Sequence, residues 1–137
     1  MLRHSALDSQ AKALRAAQAA LEKQAEDVIV LDVRALSTVT DFFVICTAGS
    51  GRQITALKDH IEAALHHEGA RVWHTEGAAM ERGAFGRFTN EPQWVLMDGG
   101  DLVVHLLDQQ ARVFYRLEHL WADAPRIPVD PVRSHPA

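Results

Sequence analysis

The chain has 137 residues, 47% of them hydrophobic and 23% charged, with 18 Asp and Glu against 14 Lys and Arg for a net charge of −4. That length suits one domain, able to bury roughly 65–70% of its unfolded surface without a disulfide or a metal. The acidic balance argues against affinity that comes chiefly from blanketing nucleic-acid phosphates, and leaves room for docking onto a protein within a nucleoprotein particle.

The N-terminus lacks the apolar core of a secretion signal. From Ser5 to about Gln24, Leu7, Ala11, Leu14, Ala17 and Leu21 recur at three- and four-residue steps and predict a helix with an Ala-rich stripe. Ser5 and Asp8 resemble a capping box, with Asp in place of the usual Glu. Val28 to Val33 is short and β-branched, as in a buried strand. A polar connection, Leu36 to Asp41, leads to a second strand over Phe42 to Thr47. The connection is too short for a parallel crossover, so these two strands are expected to be antiparallel neighbours. Cys46, the single cysteine, lies inside the second strand. It forms no internal disulfide, reads as a buried and inert thiol, and is most simply placed in a reducing cytosol.

Ala48 to Arg52 turns the chain into a second helix. Its stripe is Ile54, Leu57, Ile61 and Leu65, and Gly69 is placed to end it. Arg71 to His74 reads as a third strand, and the aperiodic stretch from Gly77 to Gln93 as a loop. Trp94 to Met97 and Leu102 to Leu107 are the last two strands, joined by Asp98-Gly99-Gly100-Asp101, where the glycines supply positive φ. Asp108 can cap a final helix running to about Asp123. Prolines at 125, 128, 131 and 136 set residues 125–137 apart as an extended or disordered tail, leaving a domain over 1–124. The order α-ββ-α-β-ββ-α predicts an α/β domain, a mixed sheet of about five strands with helices packed on it. No apolar run approaches the roughly 20 residues that span a bilayer.

Several residues have the right type for chemistry. Gly49 to Arg52 sits at a helix N-terminus, where amides bind anions, yet neither the Walker pattern nor the dinucleotide glycine pattern is present. The plainer reading is a tight turn with Ser50 as N-cap. Asp98 and Asp101 would suit a magnesium site, but metal-binding pairs usually alternate along one strand, and these are three residues apart across a turn. Eight histidines are present, none of them paired with Cys at zinc spacing. His105 shares a strand face with Asp101 and Val103, and a lone strand His is more often a hydrogen-bonded structural residue. No metal or cofactor is expected. On the final helix, Phe114, Leu117 and Trp121 form a stripe widened by Val113 and Leu120, with Tyr115 and Glu118 beside it. That stripe is wide for a helix covering one face of a sheet, and Trp and Tyr are residues that interfaces favour.

These segments resemble the ribosomal silencing factor, or Iojap-like, family. The resemblance is carried by Leu31-Asp32-Val33, by Ser37 to Thr47, by Gly51-Arg52-Gln53 and by Glu76-Gly77. It continues through Trp94 to His105 and Phe114 to Trp121, and it covers about Leu7 to Ala124. It implies a non-enzymatic protein that binds the large ribosomal subunit through its ribosomal protein numbered fourteen and blocks joining of the small subunit. It also implies a fold related to nucleotidyltransferases but without their catalytic carboxylates, and a homodimer in isolation. On this resemblance, the expected partner-binding residues are Trp94, Met97, Asp98, Asp101, Tyr115, Glu118 and Trp121, in a cytoplasmic protein with no membrane partner and no dominant direct nucleic-acid binding. Two departures stand out. The stretch from Ala78 to Gln93 is longer than the family usually has, and Thr38 replaces the usual Ser. A small nucleotidyltransferase using Gly49 to Arg52 with Asp98 and Asp101 is one alternative. A dimerisation module without a ribosomal role is the other.

Overall fold

The computed structural model describes residues 8–77 and 93–129. Six strands form one mixed sheet: β1 (Glu26–Asp32), β2 (Phe42–Ala48), β3 (His74–Gly77), β4 (Trp94–Asp98), β5 (Leu102–Asp108) and β6 (Arg126–Ile127). Their spatial order is β3-β4-β5-β2-β1-β6. β1 and β2 are antiparallel, as the short connection between them requires. β2 and β5 run parallel at the centre. That pairing is possible because the long intervening chain holds a crossover helix and a hairpin.

Helices α1 (Ser9–Glu22) and α2 (Gly51–His67) cover one face. Asp8 is itself the N-cap of α1, accepting from the Ala11 amide at 2.8 Å, so the capping-box reading with Ser5 as cap does not describe this helix start. Ser5 and Leu7 lie outside the described residues. The buried face of α1 is also turned from the predicted stripe. Ala13, Ala16, Ala17, Ala19 and Ala20 are fully buried while Leu14 and Leu21 are partly exposed. Small side chains let the helix axis approach the sheet and α2 closely, and packing density there outweighs side-chain size.

α2 follows the predicted pattern, burying Ile54, Leu57, Ile61 and Leu65. Ser50 caps its start by accepting from the Gln53 amide at 3.1 Å. Its end is a Schellman motif: Gly69 adopts φ 86°, its amide bonds the His66 carbonyl, and the Ala70 amide bonds the Leu65 carbonyl. The third strand begins three residues later than predicted. Its ladder with β4 starts at the pair His74 and Asp98, and the Trp73 amide reaches the Asp98 carbonyl just before it.

The final helix is not continuous. It splits into α3 (Gln109–Tyr115) and α4 (Leu117–Leu120) at Arg116, which takes a left-handed φ of 51° and ψ of 51°. Asp108 caps α3 as expected, accepting from the Ala111 amide at 2.8 Å. Beyond it, Arg126–Ile127 pairs antiparallel with β1 and adds a sixth strand to the predicted five. Pro125 and Pro128 flank this strand without obstructing it, because an edge strand leaves one side unpaired. The predicted loop falls on residues 78–92, outside those described.

Two cores result, one on each side of the sheet. The larger holds α1, α2 and the side chains of Phe42, Val44, Val95, Met97, Val104 and Leu106. The smaller gathers Leu31, Val33, Ile45, Leu107, Ala111 and Leu117, with Phe43, Trp94 and Trp121 packed at its margin.

Candidate docking face

Among the described residues, the side of the sheet opposite α1 and α2 is only partly covered. In a strand, alternate side chains point to opposite faces. Trp94 of β4, His105 of β5 and Phe43 of β2 therefore lie on this open side. α3 and α4 fold back over it at the C-terminal end of β5. Their ring systems form a continuous chain of contacts. Trp121 meets Phe43 edge-on at 5.0 Å, and Phe43 meets His105 edge-on at 4.9 Å. His105 lies 5.7 Å from Trp94, which lies 4.6 Å from Tyr115. Tyr115 then meets Phe114 edge-on at 4.9 Å. Offset and edge-to-face pairs of this kind each add about 0.5–1.5 kcal/mol beyond the area they bury.

One end of this chain of rings is open to solvent. Phe114 is 68% exposed, Val113 65%, Leu120 73% and Tyr115 38%. The break at Arg116 explains the division. An unbroken helix would bring Phe114, Leu117 and Trp121 onto one stripe. Instead Leu117 is buried while Phe114 faces outward. A left-handed non-glycine residue costs about 1–2 kcal/mol, and side-chain bonds across the break offset it. Arg112, almost fully buried, donates from Nη1 to Thr47 Oγ1 at 2.7 Å and from Nε to Glu118 Oε2 at 2.9 Å.

The predicted site residues are distributed unevenly. Trp94, Tyr115 and Trp121 belong to the chain of rings. Met97 does not: it is 1% exposed and sits in the core beneath α1 and α2. Strand alternation puts it on the side opposite Trp94, so it is corrected from a contact residue to a core residue. Asp98 is on the open side, but its Oδ1 accepts from the Gly100 amide at 2.8 Å and shapes the turn. Asp101 lies at the far end of the strands, with Oδ2 3.0 Å from Lys12 Nζ on α1. Glu118 is tied to Arg112. Phe43 and His105 join the site without having been singled out for it, and Phe114, read as part of the aromatic stripe of the last helix, joins it as well. The pairing of β2 beside β5, at Ile45 with His105 and Phe43 with Val103, is what brings the first two together.

The turn itself needs glycine at one position. Gly100 has φ 89°, and a Cβ there would come within 2.8 Å of the Trp73 ring. At the candidate phosphate turn, the Gly49 amide and the Ser50 hydroxyl are engaged within the chain. The Gly49 amide donates to Gln53 Oε1 at 2.6 Å, and Gln53 Nε2 reaches back to the Lys23 carbonyl at 3.1 Å. Among the described residues, no group of three or more His, Cys, Asp or Glu is placed to hold a metal. No helix among them is long and apolar enough to cross a membrane.

At the centre of the site, the Trp94 Nε1–H donates to His105 Nδ1 at 3.1 Å. The proton of the neutral imidazole therefore sits on Nε2, which is buried without a partner among the described residues. Such an unmet donor costs about 1–3 kcal/mol. Burial also holds the ring neutral, pushing its pKa down to about 4. Cys46 lies on the other side of the sheet, fully buried. Burial pushes its thiol up to about 12, against the pull of the Arg112 cation.

Comparison with known proteins decides what kind of molecule carries this face. Residues 6–137 match the family model described as ribosomal silencing factor during starvation. The chain belongs to the ribosomal silencing factor family. It is 37% identical over 115 residues to the ribosomal silencing factor RsfS of Bacillus subtilis, covering 84% of this chain and 88% of that one. It is 35% identical over 115 residues to the chloroplastic protein Iojap of Zea mays, covering 84% of this chain and 45% of the longer plant protein. A crystal structure of a Chromobacterium violaceum protein superposes with a TM-score of 0.73 at 28% identity, over 93% of this chain and 96% of that one. The family model and the bacterial relatives carry the name of ribosomal silencing factor.

Proposed function

We propose that this protein silences translation by steric exclusion. It docks onto the large ribosomal subunit through the ribosomal protein numbered fourteen and blocks joining of the small subunit. The observation that carries the reading is the partly solvent-exposed chain of rings from Trp121 to Phe114 on the open side of the sheet, in a member of a family of silencing factors. Aromatic anchors of this kind dominate interface energetics. The exposed Val113 and Leu120 extend them into an apolar patch. A standard interface needs about 800 Å² per partner, which the open face with α3 and α4 can supply. The contact residues on this reading are Trp94, Tyr115, Trp121, Phe114 and Leu120. Asp98 is at the margin, and Asp101 and Glu118 serve the protein's own fold. The same apolar patch would be shielded in a homodimer when the protein is free. The setting is the cytoplasm, and the net charge of −4 favours a basic protein surface over RNA phosphates.

The test is sedimentation. Purified large subunits are mixed with the protein, and small subunits are then added. The protein is expected to travel with the large subunit and whole ribosomes are expected not to form. Protein that stays at the top of the gradient, or normal subunit joining in its presence, overturns the proposal.

A further inference from the structure

We propose that His105 is a positioning residue of the docking face, whose Nδ1 fixes the Trp94 indole in the orientation that the chain of rings requires. The proposal rests on the docking reading of this face. In the β4–β5 ladder, Trp94 opposes Leu107 and Leu96 opposes His105. Trp94 and His105 are therefore diagonal neighbours on one side of the sheet, within reach of large side chains. The indole Nε1–H meets His105 Nδ1 at 3.1 Å. The imidazole cannot easily turn to release it. It is 5% exposed and gripped edge-on by Phe43.

Stability alone gives no reason for a histidine here. Among the described residues its Nε2–H is buried without an acceptor, a cost that an apolar side chain of similar size would avoid. What the histidine adds is an acceptor at Nδ1, on the side of the ring facing Trp94. Tyr115 packs on the Trp94 ring at 4.6 Å, and the exposed Phe114 packs on Tyr115. An indole held in one orientation therefore orders the exposed end of the patch before a partner arrives. Ordering in advance strengthens binding, because less freedom is lost on association.

Two variants separate this role from packing. His105→Asn keeps an acceptor near the Nδ1 position, while His105→Leu keeps bulk and removes the acceptor. The first readout is hydrogen exchange of the Trp94 indole proton in the full-length protein, with its resonance assigned by its absence in Trp94→Phe. The second is the rate of dissociation from large subunits. His105→Leu is expected to exchange and dissociate about tenfold faster, the effect of losing one ordering hydrogen bond. His105→Asn should stay within about threefold of the parent on both. Parent-like exchange and dissociation in His105→Leu overturn the proposal, as does equal loss in both variants. Should His105→Leu fail to fold, Trp94→Phe decides the matter. It removes the donor and keeps a ring, so parent-like dissociation there refutes the positioning role. If the parent does not bind large subunits, the docking reading fails by itself, and indole exchange still reports whether His105 fixes Trp94.

Discussion

Arg112 and Glu118 face each other across the left-handed residue Arg116, with Arg112 Nε 2.9 Å from Glu118 Oε2. This pair, together with the bond from Arg112 to Thr47, holds α4 against α3 and fastens both to β2. Partial burial works to raise the Glu118 carboxyl, but bonds from its own amide and from Arg112 hold it below the usual carboxylate range.

Removing that carboxylate leaves a buried cation without its charge partner. Glu118→Ala should lose about 1–3 kcal/mol of stability in urea unfolding near neutral pH. The sign with pH follows from the lowered value. The contribution is present above the ordinary carboxyl pKa and is lost as pH falls through the folded one. The variant should therefore show a flatter acid limb than the parent. An unchanged midpoint would mean that the pair does not support the helix break.

Met97 lies in the core, so its replacement should affect folding and not docking. Met97→Ala should cost about 2–5 kcal/mol, and Met97→Leu less than about 1.5 kcal/mol. The Leu variant should sediment with large subunits as the parent does. Weak binding by a well-folded Met97→Leu protein would return this residue to the interface.

Phe114 and Leu120 behave in the opposite way. Each is mostly exposed, so truncating Leu120 to Ala should change stability by no more than about 0.5 kcal/mol, and truncating Phe114, which gives up one edge-on ring pair, by no more than about 1.5 kcal/mol. If the patch is the docking surface, the double variant should bind large subunits at least about tenfold more weakly, equivalent to about 1.4 kcal/mol. Parent-like affinity in a folded double variant would place the contact elsewhere.

Local patterning made the sheet legible. A β-branched run marked β1 and apolar runs marked β2 and β5, a two-glycine turn marked the β4–β5 hairpin, and a short connection forced β1 and β2 to be antiparallel. The break in the last helix was not legible, because no Gly or Pro precedes or follows Arg116. Its left-handed backbone is upheld by Arg112, Thr47 and Glu118, which are brought together only by folding. β6 was hidden by its flanking prolines, which suggest loop until an edge position is known. At the candidate site, Trp94, Tyr115 and Trp121 stood out by residue type. Phe43 and His105 entered through the parallel pairing of β2 with β5, a non-local contact that no window of sequence reports. The core placement of Met97 follows from the period of two, which sets it with Val95 on the face opposite Trp94.

Cys46 offers a chemical check on the core. Its thiol is fully buried and raised to about 12, so almost no thiolate forms near neutral pH. The native protein should be silent to Ellman's reagent at about pH 8 and should release one equivalent in denaturant. Prompt reaction of the native protein would show that the central strand opens far more readily than its packing implies.

His105 should leave a signature in the pH dependence of stability. Its folded pKa is about 4, against about 6.5 for an unfolded chain. Above pH 6.5 the ring is neutral in both states and contributes no slope. Between 6.5 and about 4 the unfolded chain binds a proton that the folded chain refuses, so stability falls as pH falls. Below about 4 both states are protonated and the slope from this residue ends. The loss amounts to about 2–3 kcal/mol by pH 4.5. Carboxylates held below their ordinary range, such as Glu22 and Glu118, act in the same direction at the acid end. The difference between parent and His105→Asn cancels their share. Urea unfolding of both proteins across this range should show the parent losing about 2–3 kcal/mol more than the variant between pH 6.5 and 4.5. Parallel curves would mean that the imidazole takes up its proton in the folded protein as readily as in the unfolded chain, giving up the Nδ1 acceptor that holds Trp94.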